Sequence, residues 1–184
     1  MGSRRVSRKR LYNIEKAGIA VDLESGAGIK DSIISATQHR QGQEIITEIL
    51  MDLNPEGHTN AVGGSTIKKV CGKTGLSGVI TKMTVAKYGV VTEVRAVVLE
   101  AADKDLDVVL SSDNDVAQGT AVSGGFLMVN EDIETAVGQD GAADVDDATV
   151  RSIYIVDGGG SVTGNIGSGK LAIYIHGFEV PADL

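Results

Sequence analysis

A chain of 184 residues suits one domain with an appendage, or two small ones, and its 42% hydrophobic content is enough for a packed core. Twenty-four glycines, 3% aromatic residues and no tryptophan exclude a core of large rings and point to many turns around Val, Ile, Leu and Ala. Its net charge of −8 is spread unevenly, because Arg4, Arg5, Arg8, Lys9 and Arg10 fall in a stretch without acids and leave 12 basic against 25 acidic residues, a body at −13.

Residues 1–17 therefore read as a basic N-terminal arm, with Val6, Arg10, Leu11 and Ile14 at near-helical spacing before Gly18. Such an arm reaches an acidic protein surface or nucleic acid. A body at −13 is repelled by phosphates, so docking on protein is favoured and nucleic acid disfavoured. The arm lacks the apolar segment of a secretory signal, no window approaches the ~20 apolar residues of a membrane span, and Cys71 has no partner for an internal disulfide. The expectation is assembly in the cytosol.

The body, 18–184, reads as one β-rich unit with a possible subdivision near 54–76. Ile19–Leu23 is a short strand followed by a turn at Ser25–Gly28. Lys30–Arg40 and Gln43–Leu53 flank Gln41-Gly42; the second segment fits both helical and strand spacing, and its β-branched content favours strand. Asn54-Pro-Glu-Gly57 stops it with turn chemistry, and a polar, glycine-spotted stretch runs to Leu76. In that stretch Ser65–Lys69 is a candidate helical turn. Gly78–Ala86 and Val90–Glu100 alternate around Lys87-Tyr-Gly89 and read as a hairpin. Leu106–Leu110 and Phe126–Val129 are further strands, Ile133–Val137 a helical turn, and Gln139–Asp147 an acidic loop.

The last stretch, Thr149–Pro181, has the clearest pattern. Val150, Ser152, Tyr154 and Val156 alternate with Arg151, Ile153 and Ile155; Leu171, Ile173 and Ile175 alternate with Ala172, Tyr174, His176 and Phe178. Joined by a glycine-rich connection, the two runs predict a long hairpin, and four of the six aromatic residues (Tyr154, Tyr174, Phe178 and, before this stretch, Phe126) lie in the last third of the chain, which places the main core there. The fold class is thus mainly β: antiparallel hairpins forming a sandwich or barrel-like body, with the basic arm attached.

Within this stretch, Gly164-Asn-Ile-Gly-Ser-Gly169-Lys170 matches the first seven positions of a phosphate-binding P-loop. Leu171 stands where the motif needs Ser or Thr for Mg²⁺, and a strand follows where it needs a helix, so nucleotide binding is rejected.

Other chemistry is sparse. His39, His58 and His176 have no metal-ligand spacing and Cys71 no CxxC partner. Asp113 and Asp115, and Asp140, Asp144, Asp146 and Asp147, form acidic loops that do not match the twelve-residue calcium loop, with Ala117 at a ligand position. Solubilising carboxylates are the favoured reading, and no cofactor, metal or catalytic residue is expected. Paired carboxylates acting on host glycans remain a weak alternative, since carbohydrate sites usually offer aromatic platforms.

Three segments, MGSRRVSRKRLY, GLSGVITKMTVAKYGVVTEVRAVVLEA and SGKLAIYIHGFEVPADL, together resemble small β-rich capsid-associated proteins of marine tailed bacteriophages. The resemblance implies a non-enzymatic virion protein of the capsid exterior, a decoration (cement) protein. It would bind the major capsid protein and sit as a homotrimer where capsomers meet. Arg4, Arg5, Arg8, Lys9 and Arg10 would then be the partner-binding residues, pairing with acidic patches on the capsid protein or a neighbouring copy. The alternatives are a neck, tail or fibre-attachment component, or a phage nucleic-acid-binding protein using the arm.

Overall fold

The computed structural model of the chain describes residues 18–26, 29–55, 61–62, 78–104, 106–111, 126–128, 140–144, 151–157 and 164–179. The basic arm, Ser65–Lys69, Cys71, Asp113, Asp115 and Ile133–Val137 lie outside them.

Two antiparallel sheets face one another. The larger is assembled from β1 (Ile19–Ala20), β2 (Ile33–Gln41), β3 (Glu44–Asp52), β6 (Val90–Glu100), β9 (Asp140–Asp144) and β12 (Lys170–Phe178), in the order β1-β2-β3-β12-β6-β9. The smaller contains β5 (Val79–Met83), β7 (Leu106–Ser111), β8 (Phe126–Met128) and β10 (Arg151–Asp157), ordered β5-β10-β7-β8. A short ribbon pairs β4 (Ala61–Val62) with β11 (Gly164–Asn165). The body is an open sandwich rather than a closed barrel.

β2 and β3 form a hairpin, a pairing not assigned from the sequence. Gln41 pairs with Glu44 across Gly42-Gln43, and Gly42 has φ +62°, the positive value that the first position of a tight II′-type turn requires. Along β3, Ile45, Thr47, Ile49 and Met51 are buried and their neighbours half-exposed, so strand periodicity resolves the ambiguity of this segment.

Two predicted hairpins are not hairpins. β10 and β12 lie in different sheets: β10 is held between β5 and β7, and β12 between β3 and β6. Likewise β5 and β6 are split by helix α1 (Val85–Tyr88), which carries the chain from the smaller sheet to the larger. Alternation identified every one of these strands, but nearness in sequence did not identify their partners. The acidic stretch after Gln139 is also corrected, since Asp140–Asp144 is an edge strand on β6.

The core fills the space between the sheets. Ile49, Met51, Val94, Ala96, Val98, Leu171, Ile173 and Ile175 from the larger sheet meet Ile80, Leu106, Val108, Leu110, Ile153 and Ile155 from the smaller. It is aliphatic, as the composition implies, but it is not centred on the final aromatics. Tyr88 and Tyr154 are buried, whereas Phe178 is exposed and Tyr174 half-buried. In the smaller sheet the opposite face is buried too: Val79, Asp107, Val109, Ser152 and Tyr154 each expose 5% or less.

Candidate functional site

Among the described residues the smaller sheet is buried on both faces, so the open surface they offer is the outer face of the larger one. Strand register places its residues in rows. Thr37, Glu48, Tyr174 and Arg95 form one row, and His39, Ile46, His176 and Glu93 the next. A third holds Ser35, Leu50, Ala172 and Val97, and the last joins Gln41, Glu44, Phe178 and Val90. Strand β9 extends the register at the edge, with Asp144 paired to Glu93 and Asp140 to Val97.

The face is amphipathic. Ile46, Leu50, Val97 and Tyr174 are half-buried, while Val90 and Phe178 are 40% and 47% exposed. Around them stand Glu44, Glu48, Asp52, Glu93 and Glu100, against the cations Arg95 and Lys170. Lys170 is ion-paired with Glu100, and that carboxylate raises the Lys170 pKa above its ordinary value. His176 Nδ1 lies 3.9 Å from Glu44 Oε1.

His39 and His176, which the sequence separates widely, are brought into one row on either side of Ile46. Only the register of three strands reveals this. Gly18 sits at the same place: a Cβ on it would lie 2.9 Å from the His39 ring and from Thr37 Cβ. The described chain therefore begins at the β1 edge of the larger sheet, beside His39.

The P-loop-like segment is engaged by the protein itself. The amides of Gly167 and Ser168 donate to Asp103 Oδ1 at 2.8 and 3.4 Å, where a phosphate would otherwise sit, and Lys170 is taken by Glu100. Gly169, at φ +135°, packs against Leu53 and Ala102, and strand β12 starts at Lys170. Local conformation and internal anions together remove the conditions for phosphate binding.

The acidic-loop reading changes as well. On a strand, Asp140 and Asp144 are ~13 Å apart along the chain, too far to share one small cation. Among the described residues no group of three or more His, Cys, Asp or Glu is placed to hold a metal. His58, Cys71, Asp146 and Asp147 lie outside them, as do Arg4, Arg5, Arg8, Lys9 and Arg10.

Two grooves mark the rims of the sandwich. One of about 290 Å³ runs along the β1–β2 edge, lined by Val21, Leu23, Lys30, Ile33, Ile34 and Ala36. The other, about 200 Å³, lies among Arg40, Ile45, Val85, Ala86, Gly89 and Glu179. The Ser25 hydroxyl beside the first donates to the Ile80 carbonyl, and Lys87 Nζ to Asp22 O and Glu24 Oε1. Among the described residues no helix is long and apolar enough to cross a membrane.

In comparisons with known proteins, no family model, no curated protein and no solved structure matches this chain.

Proposed function

We propose that the protein is a phage capsid decoration (cement) protein that binds the major capsid protein and stabilises the head without catalysis. The observation that carries this reading is the wide, open, amphipathic face of a rigid two-sheet body. Flat faces mixing exposed apolar groups with charge suit a protein surface, whereas small-molecule sites are concave. The sequence resemblance to capsid-associated phage proteins supports the same reading.

In this role Arg4, Arg5, Arg8, Lys9 and Arg10 engage acidic patches on the capsid protein or on a neighbouring copy. A trimer at a threefold junction repeats each contact, so that individually weak interactions add as avidity. Quantitative mass spectrometry of purified virions tests it. A copy number near that of the major capsid protein, or a fixed large fraction of it, is expected. A few copies per hundred would assign the protein to neck or tail, and absence from particles would end the structural reading. Deleting residues 1–11 should abolish capsid occupancy while leaving the fold intact.

A further inference from the structure

The chain parts from the larger sheet at Val21. Ile19 and Ala20 pair with Gln38 and Thr37, and the Val21 amide still donates to Ala36 O at 3.1 Å. Beyond that bond the segment crosses to β5 of the smaller sheet. Leu23 O accepts the Thr81 hydroxyl, Ser25 Oγ donates to Ile80 O, and the Gly26 amide donates to Val79 O at 2.8 Å. β2 meanwhile stays with β3 as far as Ile33. The groove of about 290 Å³ is the wedge between these two diverging segments. We propose that it binds a straight-chain aliphatic carboxylate of about ten carbons, the chain lying on Val21, Leu23, Ile33 and Ala36 and the head group on the Lys30 ammonium. The site is independent of the capsid reading and belongs to the free protein.

The apolar lining sets the body of the ligand. Leu23 is buried, and Val21, Ile33 and Ala36 pack half-buried against the core. Ile34, the bulged residue where the β2–β3 register shifts, forms a lip at 63% exposure. No aromatic side chain lines the groove, so it suits a flexible chain rather than a stacked ring. An apolar cavity of about 150 Å³ holds benzene, so twice that volume takes roughly a dozen heavy atoms, the size of decanoate.

The polar groups set its head. Asp22 Oδ1 accepts the Glu24 amide at 3.0 Å, and the Glu24 carboxylate holds Lys87. Lys30, on the rim, makes no ion pair among the described residues, so its ammonium is the charge left to meet a ligand, and it selects an anion. The wall is built in advance. Lys87 Nζ donates to Asp22 O at 2.8 Å and, with the bonds to β5, holds Glu24 at φ +54°, the one left-handed non-glycine among the described residues. A wall fixed before binding spares the ligand the cost of ordering it. A peptide strand added to β2 is disfavoured by the bulge. Strand addition needs a regular row of backbone groups, and only residues 33–35 extend past the bond from Val21 to Ala36.

The test is an NMR titration of the isotope-labelled full chain with sodium decanoate, kept below micelle formation, and with decylammonium as a probe of equal length and opposite charge. Amide shifts are expected at residues 21–25 and 33–36. Lys30→Gln should weaken decanoate about fivefold, as loss of an exposed ion pair does, and leave decylammonium no weaker. Ile34→Ser, at the lip, should weaken both. Both substituted positions are exposed, and circular dichroism verifies folding. Shifts spread over the outer face of the larger sheet, or no shifts at all, would overturn the proposal. So would a Lys30→Gln variant that binds decanoate as well as the wild type. A blocked Val-Thr-Val-Thr-Val peptide that displaces decanoate and shifts β2 amides alone would give the edge to strand addition instead. No capsid enters the measurement, so its failure and failure of the capsid reading are separate results.

Discussion

Gly177 of β12 leaves no room for a side chain beneath Tyr88: a Cβ placed there would lie 2.1 Å from the Tyr88 carbonyl oxygen. The contact is reciprocal across the corner, because a Cβ on Gly89 would lie 2.2 Å from the Phe178 carbonyl oxygen. Gly89 also has φ +69°, a left-handed value that side chains resist. Two glycines thus let the exit of α1 lie directly on the central strand of the larger sheet.

Gly177→Ala and Gly89→Ala are each expected to destabilise the fold by about 3 kcal/mol, since backbone rather than a flexible side chain must move. Gly42→Ala is the comparison. It has φ +62° but nothing within 4 Å of its Cβ position, so only the backbone term of about 1 kcal/mol applies. Urea denaturation of the three variants checks the order; equal losses would contradict it.

Beneath that corner, Tyr88 is buried and its hydroxyl lies 2.7 Å from Thr81 Oγ1, which donates to Leu23 O at 3.1 Å. With the Thr81 proton given to Leu23, Tyr88 is the donor to Thr81. Tyr88→Phe should therefore cost about 1 kcal/mol, and Thr81→Val about 2, because it strands two buried polar groups. A double-mutant cycle should show the two losses to be less than additive.

The same hydroxyl sets a pH dependence. Burial pushes the Tyr88 pKa up to about 12, and the Glu24 charge adds to the rise. The unfolded value is about 10, so the native state holds this proton more tightly. The resulting stabilisation is complete below pH ~10 and is lost as pH rises towards 12, with a slope approaching 1.4 kcal/mol per pH unit. Tyr88→Phe should lack this component, and the stability difference between wild type and variant should shrink across that window. A difference independent of pH would contradict the assignment.

The amides of Gly167 and Ser168 make a further test. Asp103→Ala removes their acceptor and should cost about 1 kcal/mol, while Asp103→Asn, which keeps an acceptor oxygen, should lose less. Because these amides and Lys170 are engaged internally, adding MgATP should leave the thermal midpoint of the wild type unchanged. A rise with nucleotide concentration would restore the P-loop reading.

How much of this was legible in the sequence depends on what each residue reports. Alternation reports exposure, so Lys170–Phe178 is readable as a strand from its residues alone, whereas Glu44–Asp52 fits helical spacing too and is tilted to strand by its β-branched content. It does not report pairing. Asp157 and Lys170 are joined by a connection long enough to change sheets, and Lys87-Tyr-Gly89, which looks like a turn, is the end of a crossover helix. One clue did exist: β10 is apolar on both sides of its alternation, with Ile153 and Ile155 opposite Tyr154, which suits a strand buried on both faces. The open face was not legible at all. His39, Ile46, His176 and Glu93 come from four strands, and only register makes them neighbours.

Gln38 gives the last prediction, because it ties that register to the corner. Its Nε2 donates to Thr47 Oγ1 at 3.1 Å on the neighbouring strand and to the Lys87 carbonyl at 3.0 Å in α1. It is 8% exposed, so water replaces neither contact easily. Gln38→Leu fills similar space but leaves the Lys87 carbonyl and the Thr47 hydroxyl without this donor, at a cost of about 2 kcal/mol. The loss should be local as well as global: amide exchange should quicken at Tyr88 and Gly89, whose N–H groups bond Thr84 and Val85 within the helix. The β2–β3 ladder is held mainly by backbone bonds and should keep its protection. Uniform acceleration across the body would mean that Gln38 acts only through total stability, and not as the link between hairpin and helix.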